Sequence, residues 1–327
     1  MSAPLAPEIP RREIVHAAAI LRAGGLVAFP TETVYGLGAD AENEAAVRGI
    51  FSAKGRPADH PVIVHLEEAA DIARWSNHIP PLAWRLAEKF WPGPLTLILP
   101  RSSRATDVVT GGLPTVGLRV PSHAVAQALL REFGGALAAP SANRFGRVSP
   151  TRAEHVREEF AGDVPFILDG GLCEVGLEST IVDFSGDGPA ILRPGAITHE
   201  QVEATCGQTL RSPQSSTTRF SGGLESHYAP RALVEIVEPH ELHRRAAELV
   251  KQGKIVAILG QPSLNLPAGT ELILLGNDAS SQARSLYAAL RKVDELGCDV
   301  ALACPPAPLG LGVALLDRLQ KAAGPRG

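Results

Sequence analysis

The sequence predicts an α/β protein built on a mixed β-sheet, followed by a smaller α/β domain. Short apolar segments of strand length alternate with segments whose apolar residues recur at helical spacing. Several strand-like segments also follow one another with no helix between them, which requires antiparallel pairing in part of the sheet. The alternation restarts after a stretch rich in Ser, Thr, Gly and Pro near residue 211, which predicts a second domain.

The strands of the first domain alternate with amphipathic helices. Ile14, Ala18 and Leu21 share one face of a helix predicted over 12–23, which the pair Gly24-Gly25 ends. Further helices are predicted over 43–53 and along the apolar residues of 82–90, where the letters WPGP end the helix. Short apolar segments predict the strands, which fall at 26–29, 62–66, 95–99, 116–120, 136–139, 166–168, 180–184 and 190–192.

Capping signals and a second round of strands complete the prediction. Thr151 with Glu154, and Thr198 with Gln201, have the spacing of capping boxes that open helices. The later strands are predicted at 233–237, 255–259, 272–275 and 300–303, with helices ending near 252, spanning 286–293 and starting near 311. The predicted organisation is a first domain over 1–210, a linker or lid over 211–231 and a second domain over 232–327.

Composition and charge exclude several classes of protein. The net charge of −4 gives no overall attraction to nucleic acid or membranes, and the longest apolar runs are too short to span a bilayer. The N-terminus lacks the order of charged and apolar segments found in signal peptides. The four cysteines have no zinc-site spacing and are too few for a disulfide scaffold in 327 residues. We therefore expect a cytoplasmic protein with reduced thiols and no membrane partner.

The first chemical signal is a pair of cations beside a turn. Lys54 and Arg56 follow a predicted helix, and Gly55 and Pro57 mark the turn before the next strand. Two cations beside a turn could bind an anion together. Taken alone, the pair is explained more simply as a solvated helix C-terminus, where cations interact favourably with the helix dipole.

Two further segments place polar side chains directly after short strands. In FPTETVYGLGADA, residues 29–41, Thr31, Glu32, Thr33 and Tyr35 crowd together, and the glycines do not form the dinucleotide fingerprint. Such groups suit phosphate or ribose oxygens beyond strand ends, although ordinary hydrogen-bonded turns remain the alternative. In LAAPSANRFGRVSPT, residues 137–151, a strand of small residues leads to the polar side chains of Ser141, Asn143, Arg144, Arg147 and Ser149.

Cations and hydroxyl groups recur at the ends of other predicted strands. Arginine forks suit carboxylate and phosphate groups. The sequence has no Walker loop, Ser-His-Asp order, H-E-x-x-H motif or metal-ligand cluster. We therefore expect a site for a polyanion and a small polar molecule, with catalysis by positioning and charge stabilisation, as in transfer at phosphorus. The residues at these strands are His65, Thr115, Arg119, Glu178, Ser179, Thr180 and Arg193, of which the histidine is more simply explained as a satisfied core residue.

Together these segments resemble the family of threonylcarbamoyl-AMP synthases, built on the YrdC-like domain. The endings HYAPRAL and GLGVALLDRLQKAA resemble its longer branch, which adds a Rossmann-like C-terminal domain. The resemblance implies a twisted mixed sheet with flanking helices. The stretches that match lie in the family's order across roughly residues 12–200 and read FPTETVYGLGADA, KGRP, HPVIVHL, WPGPLTLIL, VGLRVPSH, PSANRFGRVSPT, LDGG, VGLESTIVD and ILRPGAI.

The resemblance also implies an activity and partners. The expected reaction forms threonylcarbamoyl-AMP and pyrophosphate from L-threonine, bicarbonate and ATP. Mg²⁺ is expected to arrive with the ATP, and no protein-bound metal site is implied. Downstream tRNA threonylcarbamoyl-transferase proteins would then move the threonylcarbamoyl group to the adenosine beside the tRNA anticodon, and a weak direct contact with tRNA stays open.

Individual roles follow from the same resemblance. Two departures from the family are visible: His60 stands where the family usually has Asn, and SGGLESHYAP lacks the Pro-Gly-Met turn usual before HYAP. The K-x-R and S-x-N signatures, expected at the catalytic centre, fall on Lys54, Arg56, Ser141 and Asn143. Contacts to L-threonine fall on Thr33, His65, Arg119, Ser179 and the backbone of Ala139. Contacts to ATP fall on Arg56, His60, Thr115, Ser141, Ser149, Arg193 and Tyr228.

Two other functions stay open from the sequence alone. The first is an RNA-binding module without turnover, whose basic surface would use Arg144, Arg147, Arg152 and Arg157. The net charge of −4 and the absence of aromatic residues interleaved with these arginines argue against it. The second is a carbamoyltransferase of the hydrogenase-maturation type, which embeds a similar domain. Its acylphosphatase module and cysteine-rich fingers have no counterpart in this sequence.

Overall fold

The structure is a computed structural model that describes residues 9–164, 166–211, 219–220, 222–223, 227–261 and 266–325. It confirms the predicted α/β class, with a larger mixed sheet and a smaller parallel one. The strands are β1 (Val27–Pro30), β2 (Tyr35–Asp40), β3 (Ile63–His65), β4 (Leu95–Pro100), β5 (Thr115–Arg119), β6 (Leu137–Ala138), β7 (Thr180–Asp183), β8 (Ala190–Arg193), β9 (Leu233–Ile236), β10 (Val256–Gly260), β11 (Thr270–Leu274) and β12 (Val300–Ala303). The helices are α1 (Arg11–Arg22), α2 (Glu44–Lys54), α3 (Ile72–Trp75), α4 (Pro81–Phe90), α5 (Asp107–Thr110), α6 (Ala124–Phe133), α7 (Ala153–Phe160), α8 (His199–Cys206), α9 (Leu242–Lys251), α10 (Ala279–Glu295) and α11 (Leu311–Ala322), with a single 3₁₀ turn at Ala69–Asp71.

The larger sheet has the strand order β1-β2-β6-β3-β5-β4-β7-β8. Its pairs β3–β5 and β4–β7 are parallel, and the remaining neighbours are antiparallel. The predicted antiparallel component is therefore confirmed. It follows from short connections such as the one between β7 and β8, because a parallel crossover needs a dozen or more residues.

The pleat of the central strands separates an apolar face from a polar one. On β5, Val116 and Leu118 point into a core that also holds Val64 of β3 and Leu97 of β4. The helices α2, α4 and α8 contribute apolar residues to the same core. The alternate positions of β5 point to the other face. That face is covered by α1 and α6 over β1 and β6, where Leu21, Phe29, Leu129 and Leu137 belong to a second apolar cluster.

Three local predictions were wrong. Residues 35–40 form β2 where the sequence predicted a polar turn, because hydrogen bonds from β1 and β6 outweigh the poor strand propensity of two glycines. Residues 166–168 form only a single bridge, between Ile167 and Ala28. The helix after Thr151 has no capping box, since it begins at Ala153. The main-chain nitrogen of Thr151 instead donates to His155 Nδ1 at 3.2 Å. The capping box of Thr198 and Gln201 is confirmed.

The chain divides into two compact units. The first comprises residues 1–145, 150–174 and 178–223, and the second comprises 146–149, 175–177 and 224–327. The sheet of the second unit has the order β11-β10-β12-β9 with every pair parallel, which confirms a second, smaller α/β domain. Counted within the unit, its strand order is 3-2-4-1, whereas a Rossmann sheet begins 3-2-1-4. The boundaries predicted at 210 and 231 stay a prediction, and residues 212–218, 221 and 224–226 of the expected linker lie outside the described residues.

Within the part of the chain that the structure describes, no helix combines the length and apolar character needed to cross a bilayer.

Candidate active site

Four central strands bring predicted site residues to one end of the sheet. His65, the last residue of β3, lies opposite Arg119, the last residue of the parallel strand β5. Ser179 precedes β7, whose first residue pairs with Leu95 at the start of β4. Since β4 runs antiparallel to β5, the start of β4 meets the end of β5 at the same edge. The topology therefore collects His65, Arg119 and Ser179 at one edge, although 114 residues separate the first from the last.

A buried ion pair fixes the guanidinium of Arg119. Its NH2 nitrogen donates to Glu32 Oε1 at 2.7 Å, and both side chains are at most 5% exposed. Glu32 Oε2 accepts a hydrogen bond from the main-chain nitrogen of Ser122 at 3.0 Å, which holds the carboxylate in place. The Nε atom of Arg119 is buried and has no hydrogen-bond partner among the described residues. One edge of the fork is thus occupied by Glu32, and Nε remains as a donor for a ligand carboxylate.

The role of Glu32 was missed by the sequence reasoning. The sequence placed this residue among the polar groups after β1 but gave it no function. The available signal was that Glu32 is the one acidic residue in that group. A buried arginine such as Arg119 requires a compensating charge, and an acidic residue near the same site can provide it.

His65 is held neutral by its surroundings. Burial, together with the smaller effect of the nearby Arg119 charge, lowers its pKa to about 3. Its Nδ1 atom is buried and has no hydrogen-bond partner within the part of the chain that the structure describes. Its ring lies edge-on to Phe29, with 6.1 Å between the ring centroids. A neutral imidazole beside Arg119 offers a hydrogen bond to a ligand and adds no charge.

Hydroxyl groups line the same edge. Ser179 Oγ lies 2.7 Å from Thr96 Oγ1, and it accepts a hydrogen bond from the NH2 nitrogen of Arg193 at 3.0 Å. Thr33 Oγ1 lies 2.8 Å from Thr31 Oγ1, which in turn donates to the main-chain oxygen of Val34. All four hydroxyl residues are nearly or fully buried. Thr96 was missed by the sequence reasoning, and its signal was a polar residue inside the apolar strand LTLIL.

Ala139 is linked to β3 through the backbone. Its main-chain nitrogen donates to the oxygen of Ile63 at 2.9 Å, which ties the segment after β6 to β3 two residues before His65. The side chain is nearly buried. The structure thus places Ala139 next to the strand that carries one of the other predicted threonine contacts.

Lys54 lies inside the protein and is not a solvated helix end. Helix α2 ends at Lys54 because Gly55 adopts a left-handed conformation with φ of +60°. Only 2% of Lys54 is exposed. Its Nζ atom donates to the main-chain oxygens of Ser141, at 2.6 Å, and Asn143. Burial, followed by repulsion from Arg56, lowers the pKa of Lys54 well below its ordinary value. The simpler explanation of these cations is therefore wrong, and the ammonium bridges helix α2 and the segment of Ser141 and Asn143.

Arg56 belongs to a cluster of aromatic and cationic groups. Its NH2 nitrogen donates to the main-chain oxygen of Pro61 at 3.0 Å, and its Cζ atom lies 5.8 Å from the centroid of Phe145. The half-buried ring of His60 lies edge-on to Phe145 at 5.4 Å. Burial and the charge of Arg56 lower the pKa of His60, so a neutral imidazole stands where the family usually has Asn.

Thr115 stands at the opposite end of β5 from Arg119. It lines a small pocket of about 20 Å³ in the first unit, together with Pro61, Ile63 and Phe220. Thr115 and Arg119 are four residues apart on this strand, so their Cα atoms are separated by about 13 Å. The candidate site is therefore extended along the sheet.

The remaining predicted ATP contacts divide between the two units. Arg193 is 2% exposed in the first unit, where its Nε atom donates to the main-chain oxygen of Ser179 at 3.0 Å. Ser149 and Tyr228 both belong to the second unit and are nearly or fully buried. The ring of Tyr228 lies 5.6 Å from that of Tyr287, and Arg318 lies 5.3 Å from its centroid.

The arginines considered for an RNA surface are largely paired with acids. Arg144 contacts Asp163 at 2.7 Å, and Arg157 contacts Asp169 at 3.1 Å. In the second unit, Arg147 lies 3.6 Å from Asp294. These pairs reduce the positive charge available to a phosphate backbone, which is the dominant source of affinity for nucleic acid.

Among the described residues, no group of three or more His, Cys, Asp or Glu side chains is arranged to hold a metal ion. The four cysteines are free thiols.

Comparison with known proteins gives matches along almost the whole chain. A family described as "Telomere recombination", which groups Sua5, YciO and YrdC, matches residues 19–195, and a family described as the C-terminal domain of threonylcarbamoyl-AMP synthase matches residues 197–324. Threonylcarbamoyl-AMP synthase of Pyrococcus abyssi is 44% identical over 321 residues, covering 95% of this chain and 94% of that protein. The synthase of Bacillus subtilis is 42% identical over 324 residues, with 96% and 94% coverage.

Solved structures give the same picture. The crystal structure of P. abyssi Sua5 complexed with L-threonine matches with a TM-score of 0.92 and 41% identity, and the match covers 98% of this chain and 96% of that one.

Proposed function

Since the chain belongs to the threonylcarbamoyl-AMP synthase family of Sua5 and YrdC proteins, we propose how its side chains divide the work of that synthesis. The protein forms threonylcarbamoyl-AMP from L-threonine, bicarbonate and ATP, and it releases pyrophosphate. The observation that carries the assignment of roles is the separation of two buried cationic groups. Arg119 is paired with the carboxylate of Glu32, whereas Lys54 Nζ donates hydrogen bonds to main-chain oxygens.

The edge around Arg119 is the proposed threonine site. Arg119 Nε binds the threonine carboxylate, and the hydroxyl groups of Thr33 and Ser179 and the neutral ring of His65 hold the polar groups of the substrate. The backbone at Ala139 completes the site. Support comes from Arg119 Nε and His65 Nδ1, which have no hydrogen-bond partner among the described residues, and from the L-threonine complex of the P. abyssi relative.

The nucleotide is proposed to extend away from this edge. The proposed contacts within the first unit are Arg56, His60, Thr115, Ser141 and Arg193. For Ser149 and Tyr228, the role in binding ATP rests on the family resemblance alone. The ATP is proposed to enter as its Mg²⁺ complex, with the metal ion carried by the phosphates.

The chemical step is a displacement at the α-phosphate. The threonine amine and bicarbonate give a carbamate and water. A carbamate oxygen then attacks the α-phosphorus, the new P–O bond forms, and the bond to pyrophosphate breaks. Lys54 and Arg56 stabilise the charge that develops on the phosphate oxygens, and Ser141 and Asn143 hold Lys54 through their main-chain oxygens.

The product is proposed to act in tRNA modification. The threonylcarbamoyl group would pass to downstream tRNA threonylcarbamoyl-transferase proteins in the cytoplasm. The ion pairs of Arg144, Arg147 and Arg157 with acidic residues support the view that the protein supplies the threonylcarbamoyl group without extensive binding of tRNA.

Pyrophosphate release tests the proposed roles. Release from MgATP is expected only when L-threonine and bicarbonate are both present. Lys54→Ala should lower kcat at least 100-fold, which is the usual loss when one preorganised charge stabiliser is removed. Lys89→Ala is the matched control, because Lys89 is exposed at the end of α4. Release without either substrate would show a nucleotide hydrolase, and an unchanged Lys54→Ala variant would contradict the role of Lys54.

Tyr228→Phe tests the predicted lid contact separately. A rise in the KM for ATP with an unchanged melting temperature is expected if the hydroxyl reaches the nucleotide. An unchanged KM for ATP would remove Tyr228 from the proposed nucleotide contacts.

A further inference from the structure

A pocket in the second unit lies at the carboxyl ends of its parallel strands, and the proposed synthesis gives it no role. Gly260 ends β10, and Cys304 directly follows β12. The main-chain nitrogen of Leu275, which follows β11, donates to the oxygen of Gly260 at 2.9 Å, so two strand ends are joined beneath the pocket. Open sheets with parallel strands bind their ligands outside the carboxyl ends of the strands. The pocket therefore lies where a sheet of this kind usually holds a ligand.

Two helices give the pocket an apolar wall. Leu286 of α10 and Leu315 and Leu319 of α11 line it, and all three are buried. Leu315 and Leu319 are one helical turn apart, so they lie on the same face of α11. The pocket has a volume of about 240 Å³. Since an apolar cavity of about 150 Å³ can hold a benzene ring, this pocket has room for one ring with a small substituent.

The chemistry of the lining favours an uncharged ligand. No described residue that lines the pocket is charged. Cys304 stays a neutral thiol, because burial and then the charge of Glu238 raise its pKa. Pro305 and Pro306 follow it, so the chain directly after β12 lacks the main-chain N–H groups that bind phosphate in many parallel sheets. An ionised ligand would lose its hydration here without compensation.

Two carboxamide side chains supply the polar part of the lining. Gln261 and Gln282 are half-buried at the pocket, and neither side chain has a hydrogen-bond partner among the described residues. Gln282 is held in place by the first turn of α10, where its main-chain nitrogen donates to the oxygen of Asp278 at 2.9 Å. A carboxamide both donates and accepts hydrogen bonds. The group that satisfies both functions is another amide, or a ring edge with an adjacent donor and acceptor.

We propose that this pocket binds a small uncharged ligand whose apolar body is about one ring in size and whose edge is amide-like. The leucines of α10 and α11 contact the body, and the carboxamides of Gln261 and Gln282 bind the edge. None of these residues is among those proposed to bind ATP or L-threonine, and the inference does not depend on the proposed function. Benzamide is a simple molecule with this chemistry and serves as the probe.

The first test compares three probes by ligand-observed NMR titration of the full chain. Benzamide should bind with a Kd on the order of 1 mM, as expected for a ligand of this size. Benzoate has the same shape with a charge, and its Kd should be at least about 10-fold higher because the lining offers no cation. Toluene lacks the polar edge and should also bind more weakly. Saturating MgATP, and separately saturating L-threonine, should leave the Kd for benzamide unchanged.

Substitutions then test the polar edge. Gln282→Leu removes the carboxamide at nearly constant size, so the Kd for benzamide should rise roughly 2- to 10-fold and the Kd for toluene should not rise. Gln261→Leu should act in the same direction and provides a second, independent variant. Gln320→Leu is the matched control, because Gln320 is exposed on α11 and is not among the lining residues. Melting temperatures within a few degrees of the unsubstituted protein show that the variants are folded.

Several outcomes would overturn the inference. Benzamide that does not bind at concentrations about tenfold above the expected Kd would show that the pocket takes no such ligand. Displacement of benzamide by MgATP or by L-threonine would show that the probe occupies a substrate site. Equal affinities for benzamide and benzoate would contradict an uncharged lining. A Kd for benzamide that is the same in both lining variants as in Gln320→Leu would remove the glutamines from the site.

Discussion

Two buried cations in this protein are stabilised in different ways. Arg119 is compensated by the carboxylate of Glu32, whereas Lys54 Nζ donates hydrogen bonds to two neutral main-chain oxygens. Burying a charge is costly unless it is paired and hydrogen-bonded. The pKa of Lys54 is lowered because burial disfavours the charged form of its amine, and a bound triphosphate would favour the charged form again. The structure therefore holds Lys54 ready for an anion and Arg119 ready for a carboxylate.

The buried pair gives the first prediction. Glu32→Gln keeps the shape of the side chain but leaves the Arg119 charge uncompensated, so the free energy of unfolding should fall by about 3–5 kcal/mol. Urea unfolding measures this loss, and the KM for L-threonine should rise because the guanidinium loses its fixed orientation. Glu44→Gln is the control, since its ion pair with Arg48 is exposed and should be worth less than about 0.5 kcal/mol. Equal effects of the two substitutions would contradict the importance of the buried pair.

His65 gives a prediction about pH. Its pKa is lowered to about 3 in the folded protein, against an ordinary value of 6.5. As pH falls from 6.5 toward 3, the unfolded chain takes up a proton at His65 and the folded protein does not, so acidification favours unfolding. His65→Asn should remove this contribution, and stability should then fall less steeply in that window, by up to about 1.4 kcal/mol per pH unit.

Urea unfolding at several pH values between 4 and 7 measures the difference. The exposed residue His78 provides the control substitution, His78→Asn, which should leave the slope unchanged. Parallel curves for the unsubstituted protein and His65→Asn would mean that His65 is protonated in the folded state.

At the scale of elements, the loop after α5 supports the segment that carries His60. Gly111 has φ of +60°, and an added Cβ would meet the oxygen of Asp59 at 2.4 Å and the nitrogen of Pro61 at 3.2 Å. The oxygen of Pro61 in turn accepts the hydrogen bond from Arg56. Close backbone packing between two loops thus positions the cation of the proposed nucleotide site.

Gly111→Ala tests this contact between loops. The left-handed conformation alone should cost about 1–2 kcal/mol. The forced displacement of residues 59–61 should add about 1–3 kcal/mol. The KM for ATP should rise as well. Gly112→Ala is matched, since φ is +76° there and an added Cβ meets nothing within 4 Å, so only the conformational cost applies. Equal losses of unfolding free energy in the two variants would rule out the loop contact.

At the scale of the whole molecule, the second unit has a parallel sheet, and its described residues do not form the lining of a nucleotide site. A pocket at the carboxyl ends of its strands is bounded by Leu259, Gly260, Leu275, Cys304 and residues of α10 and α11. None of the described residues that line it is charged. Phosphate groups require cations or free main-chain N–H groups, and Asp278 already caps the start of α10.

The stoichiometry of ATP binding should therefore be one per chain. Isothermal titration with MgATP should give a single site, and Lys54→Ala should weaken that site with no second site remaining. A second binding event that survives Lys54→Ala would show that the parallel sheet of the second unit also takes a nucleotide.

The sequence predicted the chemistry better than the geometry of the site. Lys54, Arg56, Ser141 and Asn143 were recognised from short motifs, and Lys54 does contact the segment of the other motif. Glu32 and Thr96 received no role, because the partners that reveal their function, Arg119 and Ser179, lie 87 and 83 residues away along the chain. Strand β2 was missed because its glycines obscure the strand signal that its neighbours supply.

The sequence by itself determined the fold class, the restart of the α/β pattern near residue 211 and the residue types of the site. Those follow from local periodicity, turn residues and side-chain chemistry, which are readable along one chain. The tertiary structure alone decided that Lys54 is buried and that Glu32 compensates Arg119. The physical reason is that burial, ion pairing and strand register depend on partners distant in sequence, whereas propensity depends on neighbours.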